Sequence, residues 1–220
     1  MLMMPKRSDV FDRISKPTPN KRGAQVGMIK TIQLLSGSER PKGDWLHTAG
    51  PGKVAINYWI YEQAFHPDSI YTIVEYQPDL ALRISNEAGK LRYRLASQPW
   101  SNKVTTTCNE LFTYACTQIY DKKRNVLVVD ADFCTTLSSL VSQKLIDGIN
   151  TLCLLQKSKD KSFFLSLTFS NRNSSQTDKS ALKLVEKHIN KHHGTLVYSH
   201  RYKDGGPMQT KTWHFKQEAI

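Results

Sequence analysis

The chain has 220 residues, 39% hydrophobic and 23% charged, which is enough for one sizeable core without a staple and too apolar for wholesale disorder. No uncharged apolar run approaches the eighteen or so residues of a membrane-spanning helix, and the opening Met-Leu-Met-Met-Pro-Lys-Arg lacks the apolar centre of a secretory signal. Thirty-one Lys and Arg against nineteen Asp and Glu leave a net charge of +12, a field that attracts polyanions and points to a nucleic acid as partner. Cys108, Cys116, Cys134 and Cys153 stand singly with no C-x-x-C pair, so neither a zinc ribbon nor a disulfide framework is indicated. A reducing, cytoplasmic location is expected.

Residues 1–26 read as a basic, flexible arm: Lys6, Arg7, Arg13, Lys16, Lys21 and Arg22 face only Asp9 and Asp12, and Pro5, Pro17, Pro19 and Gly23 oppose a helix. A single domain is expected over 27–220. It opens with a short helix over 28–35, followed by a strand over 45–48 that ends in Ala49-Gly50-Pro51-Gly52. Ile56, Trp59 and Ile60 at helical spacing predict a helix over 54–65, and the β-branched run 70–74 a buried strand. Pro78-Asp79 opens another helix, 104–107 reads as a strand, and Leu111, Ala115, Cys116 and Ile119 form a helical stripe. Asn125-Val126-Leu127-Val128-Val129, ending at Asp130, has the continuous apolar character of a central parallel strand. A helix over 137–146, a strand over 162–169 and a helix over 177–189 follow. Strands over 195–200 and 210–215 then flank the hairpin-grade turn Lys203-Asp204-Gly205-Gly206-Pro207. Five strand–helix alternations imply parallel strands with right-handed crossovers, and the closing hairpin adds an antiparallel strand.

Ligands of an open parallel sheet bind beyond the carboxyl ends of its strands, so the residues at those ends are the candidates. After the first strand, Ala49, Gly50 and Gly52 let backbone N–H groups approach a ligand. After the second, Glu75 follows Gly52 by twenty-three residues and is placed to accept hydrogen bonds from ribose hydroxyls. Asn109 and Glu110 follow the third strand, Asp130, Asp132 and Phe133 the fourth, and Arg172 the fifth. Lys6, Arg7, Lys21, Arg22, Arg172, Lys187 and Lys191 are the candidate phosphate contacts. His188, His192 and His193 have metal-compatible spacing but lack the Glu of a H-E-x-x-H site, so no metal is expected. Cys134 has no preceding Pro to mark it as a nucleophile.

Taken together, these features resemble the class I S-adenosylmethionine-dependent methyltransferases over roughly residues 44–217. The resemblance implies an α/β, Rossmann-like seven-stranded mixed sheet, mostly parallel with a C-terminal antiparallel hairpin strand and helices on both faces. Thr48-Ala49-Gly50-Pro51-Gly52 is similar to that family's first motif, with Thr48 where an acid is usual. The resemblance implies that Glu75 holds the ribose of S-adenosyl-L-methionine and that Asn109 and Glu110 contact its adenine. Asp130-Ala131-Asp132-Phe133 stands where amino-methylating members carry Asp-Pro-Pro-Tyr or Phe, which implies that Asp130, Asp132 and Phe133 receive a target amine and stack on a flipped base. Methyl transfer to a nucleic acid is the leading expectation. A methyltransferase-fold binding protein without chemistry, and a methyltransferase of a protein or small molecule, are the alternatives. The short span leaves little room for a target-recognition domain, so a partner protein supplying recognition also fits.

Overall fold

The computed structural model describes residues 19–48, 64–94, 104–136, 143–158, 161–170, 176–203 and 206–216. Lys6, Arg7, Ala49, Gly50, Gly52, Arg172 and most of the expected helix over 54–65 lie outside the described residues, as does the side chain of Cys134.

Among the described residues, the elements in chain order are α1 (Pro19–Ser36), β1 (Asp44–His47), β2 (Tyr71–Glu75), α2 (Pro78–Arg94), β3 (Val104–Cys108) and α3 (Leu111–Tyr120). Then come β4 (Val126–Thr136), α4 (Gln143–Ser158), β5 (Phe163–Ser170), α5 (Gln176–Lys191), β6 (Thr195–Lys203) and β7 (Pro207–Phe215). The seven strands form one sheet in the order β3-β2-β1-β4-β5-β7-β6. β1 to β5 are mutually parallel, and β7 inserts antiparallel between β5 and β6. The seven-stranded mixed sheet expected from the alternation is the one observed.

Burial explains the strands. All eight residues of β5 are buried, because helices cover both of its faces. Val129, Ala131, Leu165 and Leu167 belong to the layer under α3, α4 and α5, which Leu111, Ala115, Ile149 and Val185 complete. Trp45, Tyr71, Ile73, Val128 and Phe164 face the other way, toward Met28, Ile29 and Ile32 of α1 and Ile84 and Ala88 of α2. At the amino edge, Arg124 grips Asp44 through Nε at 2.7 Å and a terminal nitrogen at 2.9 Å, tying the chain before β4 to the start of β1.

The helix expected over 137–146 is Gln143–Ser158, and the closing strands run closer to their turn than expected. Two further boundary differences bear on the site. Helix α1 begins at Pro19, eight residues before the expected domain boundary, because proline is tolerated in a first turn. Its buried residues, Lys21, Ala24, Gln25, Met28, Ile29 and Ile32, follow the three–four spacing of one helical face. Gly27 serves close packing: a Cβ there would lie 2.5 Å from the Tyr198 hydroxyl and 3.0 Å from its ring. Tyr198 in turn donates its hydroxyl to the Ala24 carbonyl at 3.0 Å, seating α1 on β6. The second difference is β4, which runs on to Thr136 where an end at Asp130 was expected, pairing Asp130, Ala131 and Asp132 with Ser166, Leu167 and Thr168.

Candidate functional site

The extension of β4 decides where its acids point. Successive side chains on a strand face opposite ways, so Asp130 and Asp132 share the α1 face while Phe133 goes to the other. There Phe133 packs against the core under α3 and α4. The expected trio therefore does not converge: the two aspartates meet, and Phe133 is separated from them by the sheet.

Asp130 is buried and opposes His47 across the β1–β4 pair, with Oδ2 2.9 Å from Nδ1. Asp132 meets Lys21 of α1, Oδ2 to Nζ at 2.5 Å, with both side chains no more than 4% exposed. This corrects the expectation for Lys21, which is no phosphate-facing arm residue. It heads the buried stripe of α1, and its ammonium pairs with a carboxylate. Thr48 explains its own presence where an acid is usual. Its Oγ1 accepts the Asp132 N–H at 2.7 Å and its N–H donates to the Asp130 carbonyl at 3.1 Å, clamping β1 to β4 beyond their regular pairing. Lys21, Gln25, His47, Asp130, Asp132 and Tyr202 line a small pocket under α1. Met28 and the paired hydroxyls of Thr168 and Thr210, 2.8 Å apart, complete its wall.

Glu75 ends β2 half-buried, and its Oε1 accepts the Gln77 N–H at 2.9 Å. Asn109 follows β3 on the adjacent strand end and donates its N–H to the Glu75 carbonyl at 3.0 Å. Glu110, expected on the adenine, is the N-cap of α3. Its carboxylate accepts from Phe112 N at 3.2 Å, Thr113 N at 2.8 Å and the Thr113 hydroxyl at 2.8 Å. A cap of that kind satisfies helix N–H groups that otherwise lack partners, so a structural role accounts for Glu110.

Arg22 is exposed on α1, and Lys187 and Lys191 are exposed on α5. Two histidines hold helices together: His188 of α5 and His192, just past its end, approach Asn150 Oδ1 of α4 at 3.3 and 3.0 Å. Among the described residues no group of three His, Cys, Asp or Glu could hold a metal ion. No described helix is long and apolar enough to cross a membrane. Burial pushes the thiol of Cys116 up to about 11 and that of Cys153 up to about 12, so neither supplies a thiolate near neutrality.

Sequence reasoning missed His47 as a site residue and gave Lys21 a phosphate contact in place of its position beside Asp132. His47 carried a readable signal, since it ends β1 opposite Asp130. Lys21 also carried one, lying three and four residues before Ala24 and Gln25 and seven before Met28 on a single helical face.

No known protein family and no curated protein matches this sequence. Solved structures do match its shape. It is similar to the fibrillarin pre-rRNA processing protein of Methanococcus jannaschii at 9% identity and a TM-score of 0.51, covering 81% of this chain and 69% of that one. It is also similar to the precorrin-6y C5,15-methyltransferase of Geobacter metallireducens, with 11% identity, a TM-score of 0.52, and 88% and 86% covered. The human methyltransferase 10 domain containing protein matches at 11% identity and 0.53, over 90% and 84%. With its reversed β7 inserted beside β5, the chain has the fold of the class I S-adenosylmethionine-dependent methyltransferases.

Proposed function

We propose that the protein transfers a methyl group from S-adenosyl-L-methionine to a hydroxyl oxygen of a nucleic acid. The observation that carries this reading is the buried Lys21–Asp132 pair, set beside Asp130 and His47 at the carboxyl edge of this sheet. A half-buried carboxylate at the end of β2 and an amide at the end of β3 are donor and acceptor types suited to a nucleoside, so Glu75 and Asn109 fit the ribose and adenine of the cofactor. The cofactor supplies an electrophilic methyl on a sulfonium sulfur, which leaves the protein mainly to align and desolvate the acceptor.

The acceptor follows from charge. An amine gains positive charge as it is methylated, and a fixed ammonium beside it opposes that. A hydroxyl oxygen gains negative character as its proton is drawn away, and the same ammonium stabilises it. In this reading Asp132 accepts the hydroxyl hydrogen and Lys21 donates to the oxygen. The position of Phe133 across the sheet argues the same way, since no side chain of that residue is available to stack on a flipped base. The net charge of +12 supports a nucleic acid over a neutral small molecule.

One observation favours a second reading, a binding protein that keeps the fold without the chemistry. Lys21 and Asp132 are both nearly free of solvent, so an acceptor reaches them only when the first turns of α1 lift. Titration calorimetry with S-adenosylmethionine and S-adenosylhomocysteine separates the two. Micromolar binding followed by transfer of a labelled methyl to RNA or DNA supports the enzyme; absence of binding to either ligand moves the weight to the second reading.

A further inference from the structure

Helix α5 carries a feature outside the site. Lys179, Lys183, Lys187 and Lys191 recur at four-residue spacing along it, and all four are exposed. None of them has a carboxylate partner among the described residues. The mid-helix acid that would offset them, Glu186, is taken by Lys211 of β7 at 2.6 Å. Each step along the row advances about 6 Å and turns about 40°, so the four ammonium groups cover about 18 Å while winding gently around the helix. α5 follows β5, so its first turn lies at the carboxyl edge that bears the site and its last at the opposite edge. His188, His193 and Lys157 add further basic groups near that far end. There burial, and then Lys191, His188, His193 and Lys157, hold His192 below its ordinary pKa.

We propose that this lysine row is a docking ridge for the phosphate backbone of a single nucleic-acid strand whose reacting nucleotide lies at the carboxyl edge. The inference rests on the reading that the acceptor is a nucleic acid. A winding row suits a flexible single strand, whereas a duplex, stiff over about 150 base pairs, cannot follow a helix surface through such a turn. Because no described residue pairs with these four side chains, the ridge is available without rearrangement of the described fold.

The test is fluorescence anisotropy of the full chain with a labelled 20-nucleotide uridine oligomer and with a duplex of equal length, across 50–200 mM salt. The comparison is with a variant carrying Lys179→Gln, Lys183→Gln, Lys187→Gln and Lys191→Gln. Each lost single-strand contact lowers the log–log salt slope by about 0.7, so the variant slope should be shallower by about 2.8. Across that fourfold salt range, the variant should lose about 50-fold less affinity than the parent. Circular dichroism and cofactor binding should be unchanged, and if the fourfold variant folds poorly, Lys179→Gln with Lys187→Gln should show about half the effect. An unchanged slope overturns the ridge while leaving the acceptor reading intact. A slope change seen with the duplex alone overturns the single-strand assignment. A parent chain that binds the cofactor but no nucleic acid overturns the acceptor reading and the ridge with it.

Discussion

Lys21 and Asp132 offer a perturbation in which stability and activity should part company. Lys21→Met leaves a carboxylate buried without its cation, and Asp132→Asn leaves the ammonium without its anion. Removing one partner of a buried pair costs about 3–5 kcal/mol. We expect the low end, about 3 kcal/mol for each, because Gln25, His47 and Tyr202 line the same pocket and can take up part of the orphaned charge. For a chain of this size that is a fall in Tm of roughly 6–12 °C. Replacing both partners removes both charges, so the double variant should cost no more than either single one, leaving a coupling of about 3 kcal/mol in the cycle.

Urea unfolding followed by far-ultraviolet circular dichroism measures the four corners of the cycle, and methyl transfer from labelled cofactor is measured on the same preparations. The double variant should be about as stable as either single one, well short of the additive loss, and should show no activity. Two results would refute the reasoning at different points. Additive single costs, near 6 kcal/mol in the double variant, would mean that the two charges are not coupled in solution. A stable double variant with parental transfer rates would remove the pair from the acceptor site.

Three further outcomes are expected. Gly27→Ala should destabilise by about 1–3 kcal/mol through collision with Tyr198, while Gly23→Ala, which meets nothing within 4 Å, should stabilise the same helix by about 0.5–1 kcal/mol; thermal melts decide the contrast. Glu75→Ala should weaken S-adenosylmethionine binding by about 1.5–3 kcal/mol without loss of fold, whereas Glu110→Ala should cost about 1 kcal/mol of stability, as a lost cap, and leave calorimetric affinity alone. His214, buried and stacked on Phe164 at 4.3 Å, is held below its ordinary value of 6.5, chiefly by burial and then by Lys216. The unfolded chain therefore binds the extra proton first, so stability should fall as the pH drops below about 6.5, and His214→Phe should flatten that limb of a urea-midpoint profile.

The sheet was legible because its central strands are short apolar runs separated by helical stripes. Phe163 to Ser170 and Val126 to Val129 have no other satisfactory environment than a sheet covered on both faces. The closing hairpin was legible from its turn residues. The edges of elements were not, and for identifiable reasons. Two aspartates after Val129 read as the end of a strand, yet each is satisfied within it, by His47 and by Lys21, so pairing with β5 continues past them. Pro19 and Gly23 read as helix breakers, but proline is harmless in the first turn. Farther along the same helix, Gly27 is required by the ring of Tyr198, some 170 residues away along the chain.

The same blind spot governs the site. Apolar periodicity locates the faces of helices, and a lysine counts against burial unless its counter-charge is known. Lys21 becomes intelligible only when α1 is laid on β6 and β7, which brings its ammonium to an aspartate 111 positions later. Phe133 fails for the complementary reason. Its neighbours in sequence matched a loop motif in which aromatic and acid point to one ligand, but in a strand that continues they must point to opposite faces. Charge pairing between distant elements thus moves the proposed chemistry from a base amine toward a hydroxyl. The residue that makes the difference is one that composition alone would assign to the solvent.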